Sequence, residues 1–297
     1  MALLMAMGCS GIRMVAHPNA TLPGSSGHFR KGQILDLRAG KAISFQELII
    51  QISSKDLLFV GEVHDNPEHH LIQLQILQAL VDASVPLTLG MEFFQEKQQD
   101  SLDRYLEREV GEEEFLKEVS WQQDWGFDYH LYRPLILFAR QNGFRVLALN
   151  APHEIVKKVA RQGLIALDSH ERSQIAQDID LTHEAHRAYA RAAYDQHAHG
   201  DLKNFESFYE AQCVWDETMA DNLASYLKGR KEPVVVFTGN GHIAYRFGVP
   251  DRTLWRHPVS IATMLLMPLS KDIFLEKEIA DYLWFTSDCP HKGITLD

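Results

Sequence analysis

The chain is poor in cysteine, with three in 297 residues, and Cys9, Cys213 and Cys289 form neither a CxxC pair nor a zinc-ribbon spacing. A disulfide framework and a zinc ribbon are therefore excluded, and Cys213, inside a strongly helical segment, reads as a free core thiol. Dense Lys/Arg tracts are also missing. A formal charge of -11 and a pI near 5.7 leave no electrostatic footprint for a phosphate backbone, so nucleic acid is not an expected partner. No stretch approaches the roughly 18 consecutive apolar residues of a spanning helix, which makes any membrane tie an anchor rather than a span. Internal repeats and low-complexity blocks are absent as well.

What is present is 45% apolar sequence, ample for the core of one large α/β domain. The opening MALLMAMGCSG resembles the end of a bacterial lipoprotein signal peptide, with Cys9 as the lipidated residue, although Ala6 stands where Leu is usual. The expected organisation is a signal-like segment and tether over 1–33, then a single domain over 34–297 with a helical insertion around 164–204. That insertion carries His170, His183, His186, His197 and His199. His183 and His186 lie three apart on one helix face, and a solvated helical face is the favoured reading.

The most informative stretch is Leu57-Leu58-Phe59-Val60-Gly61-Glu62-Val63-His64-Asp65-Asn66-Pro67, an apolar run that ends in polar side chains. It reads as a buried strand feeding a helix that begins at Pro67 and runs to about Asp82. Similar runs end at Glu92 after LTLGM, at Asn150 after RVLAL, and at Asn240 and His242 after VVVFTG. Strands alternating with helices at these lengths predict a mostly parallel central sheet flanked by helices. Ligands collect outside the carboxyl ends of such strands. Glu62, His64, Glu92 and His242 are thus candidates for one divalent-metal or acid–base site. The aromatic segment Trp121 to Tyr132 reads first as core.

Six segments carry a family resemblance: GEVHDNPEHHLIQLQIL, LGMEFF, WGFDYHLYRPLILFAR, LALNAPHEIVKKVARQGL, AQCVWDETMADNL and TGNGHIAYRFGVP. Together they span about Leu57 to Pro250 and resemble the ChaN-type haem-binding uptake proteins, related to the wider Tiki, TraB and erythromycin-esterase group. The resemblance implies an outer-membrane lipoprotein facing the periplasm of a bacterial cell envelope, taking part in haem or iron uptake or storage. It also implies a homodimer with a tyrosine as iron ligand. Tyr132 and Tyr129, in the best-matched aromatic segment, are the candidate ligands, with Arg133 as the candidate propionate partner. In the esterase-like relatives the residues matching Glu62, His64, Glu92 and His242 are associated with hydrolysis, so a metal-dependent hydrolase is the competing expectation.

Overall fold

The computed structural model describes residues 29–197, 204–230, 232–269 and 275–287; Cys9, His199 and Cys289 lie outside them. Two short strands, β1 (Ile34–Asp36) and β2 (Lys41–Ile43), lead into helix α1 (Phe45–Ile52). There Ser44 and Glu47 close a reciprocal capping box. The first long strand, β3 (Leu57–Glu62), is buried at all six positions, as a parallel strand covered on both faces must be. Helix α2 (Pro67–Asp82) follows. It starts where expected, because the Asn66 side chain accepts from the Glu68 N–H and Pro67 needs no partner for a donor it lacks.

Strand β4 spans Thr88–Gln95 and so continues three residues past Glu92, where sequence pattern had ended it, with its register shifting between Met91 and Gln95. Four helices come next: α3 (Gln99–Leu106), α4 (Glu112–Glu118), α5 (Trp121–Asp124) and α6 (Tyr129–Asn142). Strand β5 (Arg145–Asn150) is followed by α7 (His153–Gln162), α8 (Ser169–Arg172) and α9 (Glu184–His197). The long helix α10 (Phe205–Leu227) precedes β6 (Val234–Gly239), α11 (Val249–Arg256), β7 (Ile261–Pro268) and β8 (Tyr282–Thr286).

Among the described residues, eight strands form one sheet in the order β2-β1-β8-β7-β3-β6-β4-β5. The pairings from β8 to β5 are parallel, and β1 pairs antiparallel with both β2 and β8. Strand alternation splits the core into two layers. Leu57, Phe59, Val234, Val236 and Leu149 point into the layer built around α7 and α10. Leu58, Val60, Val235, Phe237 and Ala148 point into the layer built around α2 and α6. The aromatic segment joins that second layer, with Trp121, Trp125 and Tyr132 all buried, as its composition suggested.

The order places β6 between β3 and β4. The turn after β6 therefore drops between the two strands that carry carboxylates, and Glu62, His242, Glu92 and Asn150 come from four consecutive strands at one edge. Chain approach here is close. A Cβ at Gly61 would sit 2.2 Å from Asn240 Oδ1, and one at Gly248 would sit 2.3 Å from the His242 carbonyl oxygen.

Candidate functional site

Glu62 is the last residue of β3 and is completely buried. Its Oε1 accepts from His64 Nδ1 at 2.7 Å and from the Tyr132 hydroxyl at 3.1 Å, and its Oε2 accepts from Gln73 Nε2 at 2.6 Å. Burial pushes this carboxyl up, but the His70 and His64 imidazoles and the Gln73 amide outweigh it and hold the pKa below its ordinary value. Since Glu62 takes the proton-bearing Nδ1 of His64, Nε2 is the nitrogen that this imidazole has left for other partners. The His64 ring is braced edge-on by Trp125 at 4.6 Å and by Phe127 at 4.9 Å.

Helix α2 supplies the rest of this half-site in a way its apolar pattern did not forecast. Leu71 is 64% exposed, while His69, His70 and Gln73 are buried. His70 Nε2 donates to the His64 carbonyl at 2.9 Å, and its Nδ1 lies 3.7 Å from Glu62 Oε2. His69 accepts from the Val63 N–H and reaches Thr286 Oγ1 at 2.9 Å; burial drives its pKa down to about 3, so it is a neutral structural link.

The second half-site is centred on His242, in the one-turn helix Asn240–His242. Nδ1 lies 2.6 Å from Asp216 Oδ1 and Nε2 lies 3.4 Å from Glu92 Oε1. The other Glu92 oxygen accepts from Thr238 Oγ1 at 2.6 Å and from the Gly239 N–H at 2.7 Å. Burial disfavours a charged imidazole, yet Glu92 and Asp216 together prevail and raise the His242 pKa to about 10. Burial likewise pushes Glu92 up, and the facing imidazolium draws it down to about 2. The pair is thus ionised together at neutral pH.

His64, Glu92 and His242 line one cleft of about 430 Å³, counting its open mouth, with Phe93, Gln95, Asp124, Trp125, Asn150, Ala151, His153 and Trp215 around them. Asn150 Nδ2 donates to the Glu92 carbonyl at 3.0 Å and so works as a brace between β4 and β5. The structure therefore brings Glu62, His64, Glu92 and His242 to one place. It does not arrange them as metal ligands: among the described residues, no group of three or more His, Cys, Asp or Glu side chains is placed to hold an ion. The carboxylates are hydrogen-bonded to Gln73, Tyr132, Thr238 and the Gly239 N–H, and the described side chains lend the divalent-metal expectation no support.

The three residues expected around haem are already engaged by other side chains. Tyr132 is fully buried, and its hydroxyl is placed to donate to Glu62 and to the His64 carbonyl, so as folded it braces the acid–base site. Tyr129 is half-buried, and burial with the neighbouring Tyr105 and Glu112 pushes its pKa well above the ordinary value, away from a phenolate. Arg133 is held by Glu112, at 2.8 and 2.9 Å. The sequence also missed Asp216, Gln73 and His70. Asp216 had one signal, a carboxylate on a helix whose other residues read as core.

His186, expected on a solvated face, is 1% exposed, with Nε2 at 3.4 Å from Asp216 Oδ2. His183 lies just before α9, its ring 6.2 Å from that of His186 and 5.1 Å from Phe247. With Tyr245 and Phe247, stacked at 5.2 Å and 18°, and Tyr189 edge-on to Tyr245 at 5.6 Å, it forms a half-buried aromatic ledge. Tyr245 and Arg246 both have left-handed backbones, φ 55° and 65°, a strained conformation for residues other than glycine.

The fold and site define an α/β protein with a buried acid–base constellation at the carboxyl edge of its sheet. The profile of the family "Haem-binding uptake, Tiki superfamily, ChaN" matches residues 48–253, and the chain belongs to that family. Among solved structures it is similar to ChaN of Campylobacter jejuni, described as binding haem cofacially, with a TM-score of 0.68 and 19% identity over 84% of this chain and 95% of that one. An erythromycin esterase variant in its open conformation gives a TM-score of 0.47 at 12% identity, covering 80% of this chain and 76% of that one. A curated relative, Protein RETICULATA-RELATED 5, chloroplastic, of Arabidopsis thaliana, is 23% identical over 261 residues. That match covers 79% of this chain and 34% of the relative, so the chain spans about a third of the relative's length.

Proposed function

We propose that this protein binds haem and serves haem or iron uptake or storage as a lipid-anchored protein of the bacterial cell envelope, facing the periplasm from the outer membrane. The observation that carries the haem reading is the match to the haem-binding family over residues 48–253. Tyr132 and Tyr129 do not fit the ligand role as folded, for the reasons of burial and protonation given above. The aromatic ledge offers a flat macrocycle the ring faces and edges of Tyr245, Phe247 and Tyr189 and the imidazole of His183, while burial and Glu276 hold the Tyr245 hydroxyl protonated, as burial does at Tyr129. Bound haem would supply the ferric centre, and these residues would hold its plane. The relative's cofacial haems call for two ligand faces brought together, which a second copy of the chain would provide. The anchor would be Cys9, since no helix among the described residues is long and apolar enough to cross a membrane.

The test is a haemin titration followed by absorbance. A shifted, saturable Soret band is expected, weakened or shifted by Tyr189→Phe or Tyr245→Phe and little changed by His64→Ala. Absence of saturation would remove the haem reading. For the anchor, Cys9→Ser should move the full precursor from membrane to soluble fraction in a bacterial host, and an unchanged distribution would count against lipidation.

A second reading is favoured by one observation, the Glu62–His64 pair facing His242 across a cleft. An imidazole held at Nδ1 by a buried carboxylate presents its Nε2 for proton exchange, and a buried imidazolium opposite it is built to donate a proton or to steady a developing negative charge. Hydrolysis of a small carbonyl compound needs that division of labour. If this holds, His64→Ala and Glu62→Gln should abolish an esterase-type activity that survives Tyr189→Phe and Tyr245→Phe.

A further inference from the structure

The network behind His242 extends away from the cleft through groups that the acid–base reading leaves unused. Asp216, fully buried in α10, offers Oδ1 to His242 Nδ1 at 2.6 Å and Oδ2 to His186 Nε2 at 3.4 Å. The opposite nitrogen of His186, Nδ1, is 3.1 Å from a terminal nitrogen of Arg252. Arg252 is itself buried and anchored to the Glu217 carboxylate and, at 3.2 Å, to the Asp180 carbonyl.

Donor and acceptor chemistry gives the links at Arg252 and His242 a direction, with the Gln212 amide nitrogen, 3.1 Å from His242 Nδ1, donating instead to Asp216 Oδ2 at 3.4 Å. A guanidinium only donates, so His186 Nδ1 must accept and its proton must sit on Nε2. That proton faces Asp216 Oδ2 across a 3.4 Å contact. The carboxylate only accepts, so its remaining oxygen requires a proton on Nδ1 of His242. We propose that Asp216 is the positioning residue of the cleft: backed by His186 and Arg252, it fixes the His242 ring so that Nδ1–H points into the protein and Nε2 is aimed at Glu92 and the cleft.

This gives the two cleft histidines a common construction from unrelated parts. His64 is held at Nδ1 by Glu62 from β3, and His242 is held at Nδ1 by Asp216 from α10. Only the second carries an outer shell that ends in a guanidinium. Independently of any hydrolysis in the cleft, Asp216 sets how the His242 ring is turned and holds its Nδ1–H.

The experiment is long-range 1H–15N NMR of the histidine rings in the full-length protein, with folding checked by circular dichroism. In the unaltered chain the His242 signal, assigned by its loss in His242→Gln, should show a protonated Nδ1 with a strongly downfield ring proton. Asp216→Asn should lose that downfield resonance. His186→Gln should keep it, because the amide can accept from Arg252 and donate to Asp216, whereas His186→Phe should shift it. If Asp216→Asn fails to fold, the two His186 variants carry the test alone. An unprotonated His242 Nδ1 in the unaltered chain, an unchanged signal in folded Asp216→Asn, or identical spectra for the two His186 variants would each overturn the proposal.

Discussion

His186 and His242 share the carboxylate of Asp216 and end in opposite charge states. Burial and the Arg252 charge outweigh Asp216 at His186 and lower its pKa to about 4. At His242 two carboxylates outweigh burial and raise it to about 10. The consequence for stability has a definite sign. His242 binds its proton more tightly folded than unfolded, so its contribution is full below its ordinary 6.5 and is lost as pH rises through about 10. His69 and His186 resist protonation, so below 6.5 the unfolded chain takes up protons that the folded one refuses, and stability falls toward about 4 and 3. Glu92 adds to the acid loss as pH falls from its ordinary 4.5 through about 2. Each proton is worth at most about 1.4 kcal/mol per pH unit. Denaturant unfolding across pH should therefore peak near 6.5, and His242→Gln should flatten the limb between 6.5 and 10 and remove the Glu92 part of the acid limb while leaving the part due to His69 and His186. An alkaline limb indifferent to that substitution would mean His242 is not held as a cation.

At the scale of elements, α10 is the piece that turns the sheet edge into a site. It is buried on nearly every face, including Asp216 and Glu217. Glu217 ties α11 to it by pairing with Arg252 and, at 2.6 Å, with Arg256. Glu217→Gln would leave the buried Arg252 guanidinium without its counter-charge, Arg256 keeping Asp221 at 3.4 Å, a change expected to cost about 3–5 kcal/mol. Chemical denaturation should register that loss, and amide exchange over Val249–Arg256 should accelerate ahead of the sheet; uniform exchange would show that α11 is held mainly by apolar packing. These contacts also mark where sequence reading stops. Glu62, His64, Glu92 and His242 were legible because each follows an apolar run long enough to be a buried strand. Asp216, His186 and Arg252 were not, because their partners come from three separate helices and nothing local pairs them. Helix α2 was placed correctly at both ends and packs through Ile76, Leu77 and Leu80, but the orientation of its first half was not legible, since there His70 and Gln73 turn inward to Glu62 and Leu71 faces out. The strand order was likewise hidden, because β6 enters between β3 and β4 from far along the chain.

For the molecule as a whole, the cleft and the aromatic ledge share no residues, and the chain carries a formal charge of -11. Haemin brings two propionates, so the protein's overall field opposes its approach even where local aromatic contact favours binding. Screening should then assist association. As ionic strength rises from about 0.01 M to 0.1 M the Debye length shrinks from about 30 Å to about 10 Å, and the rate of haemin capture in stopped-flow absorbance should increase. Dissociation should change far less, because ring contacts and the iron bond are short-ranged. A capture rate that falls with salt would instead indicate a cationic entry path strong enough to override the net charge. Running the series on His64→Ala and on Tyr245→Phe separates the two surfaces. The first should reproduce the salt dependence of the unaltered chain, and the second should release haemin faster at every salt concentration. If His64→Ala were the variant that released it, haemin would occupy the cleft, and the acid–base constellation would have to be read as part of the haem site.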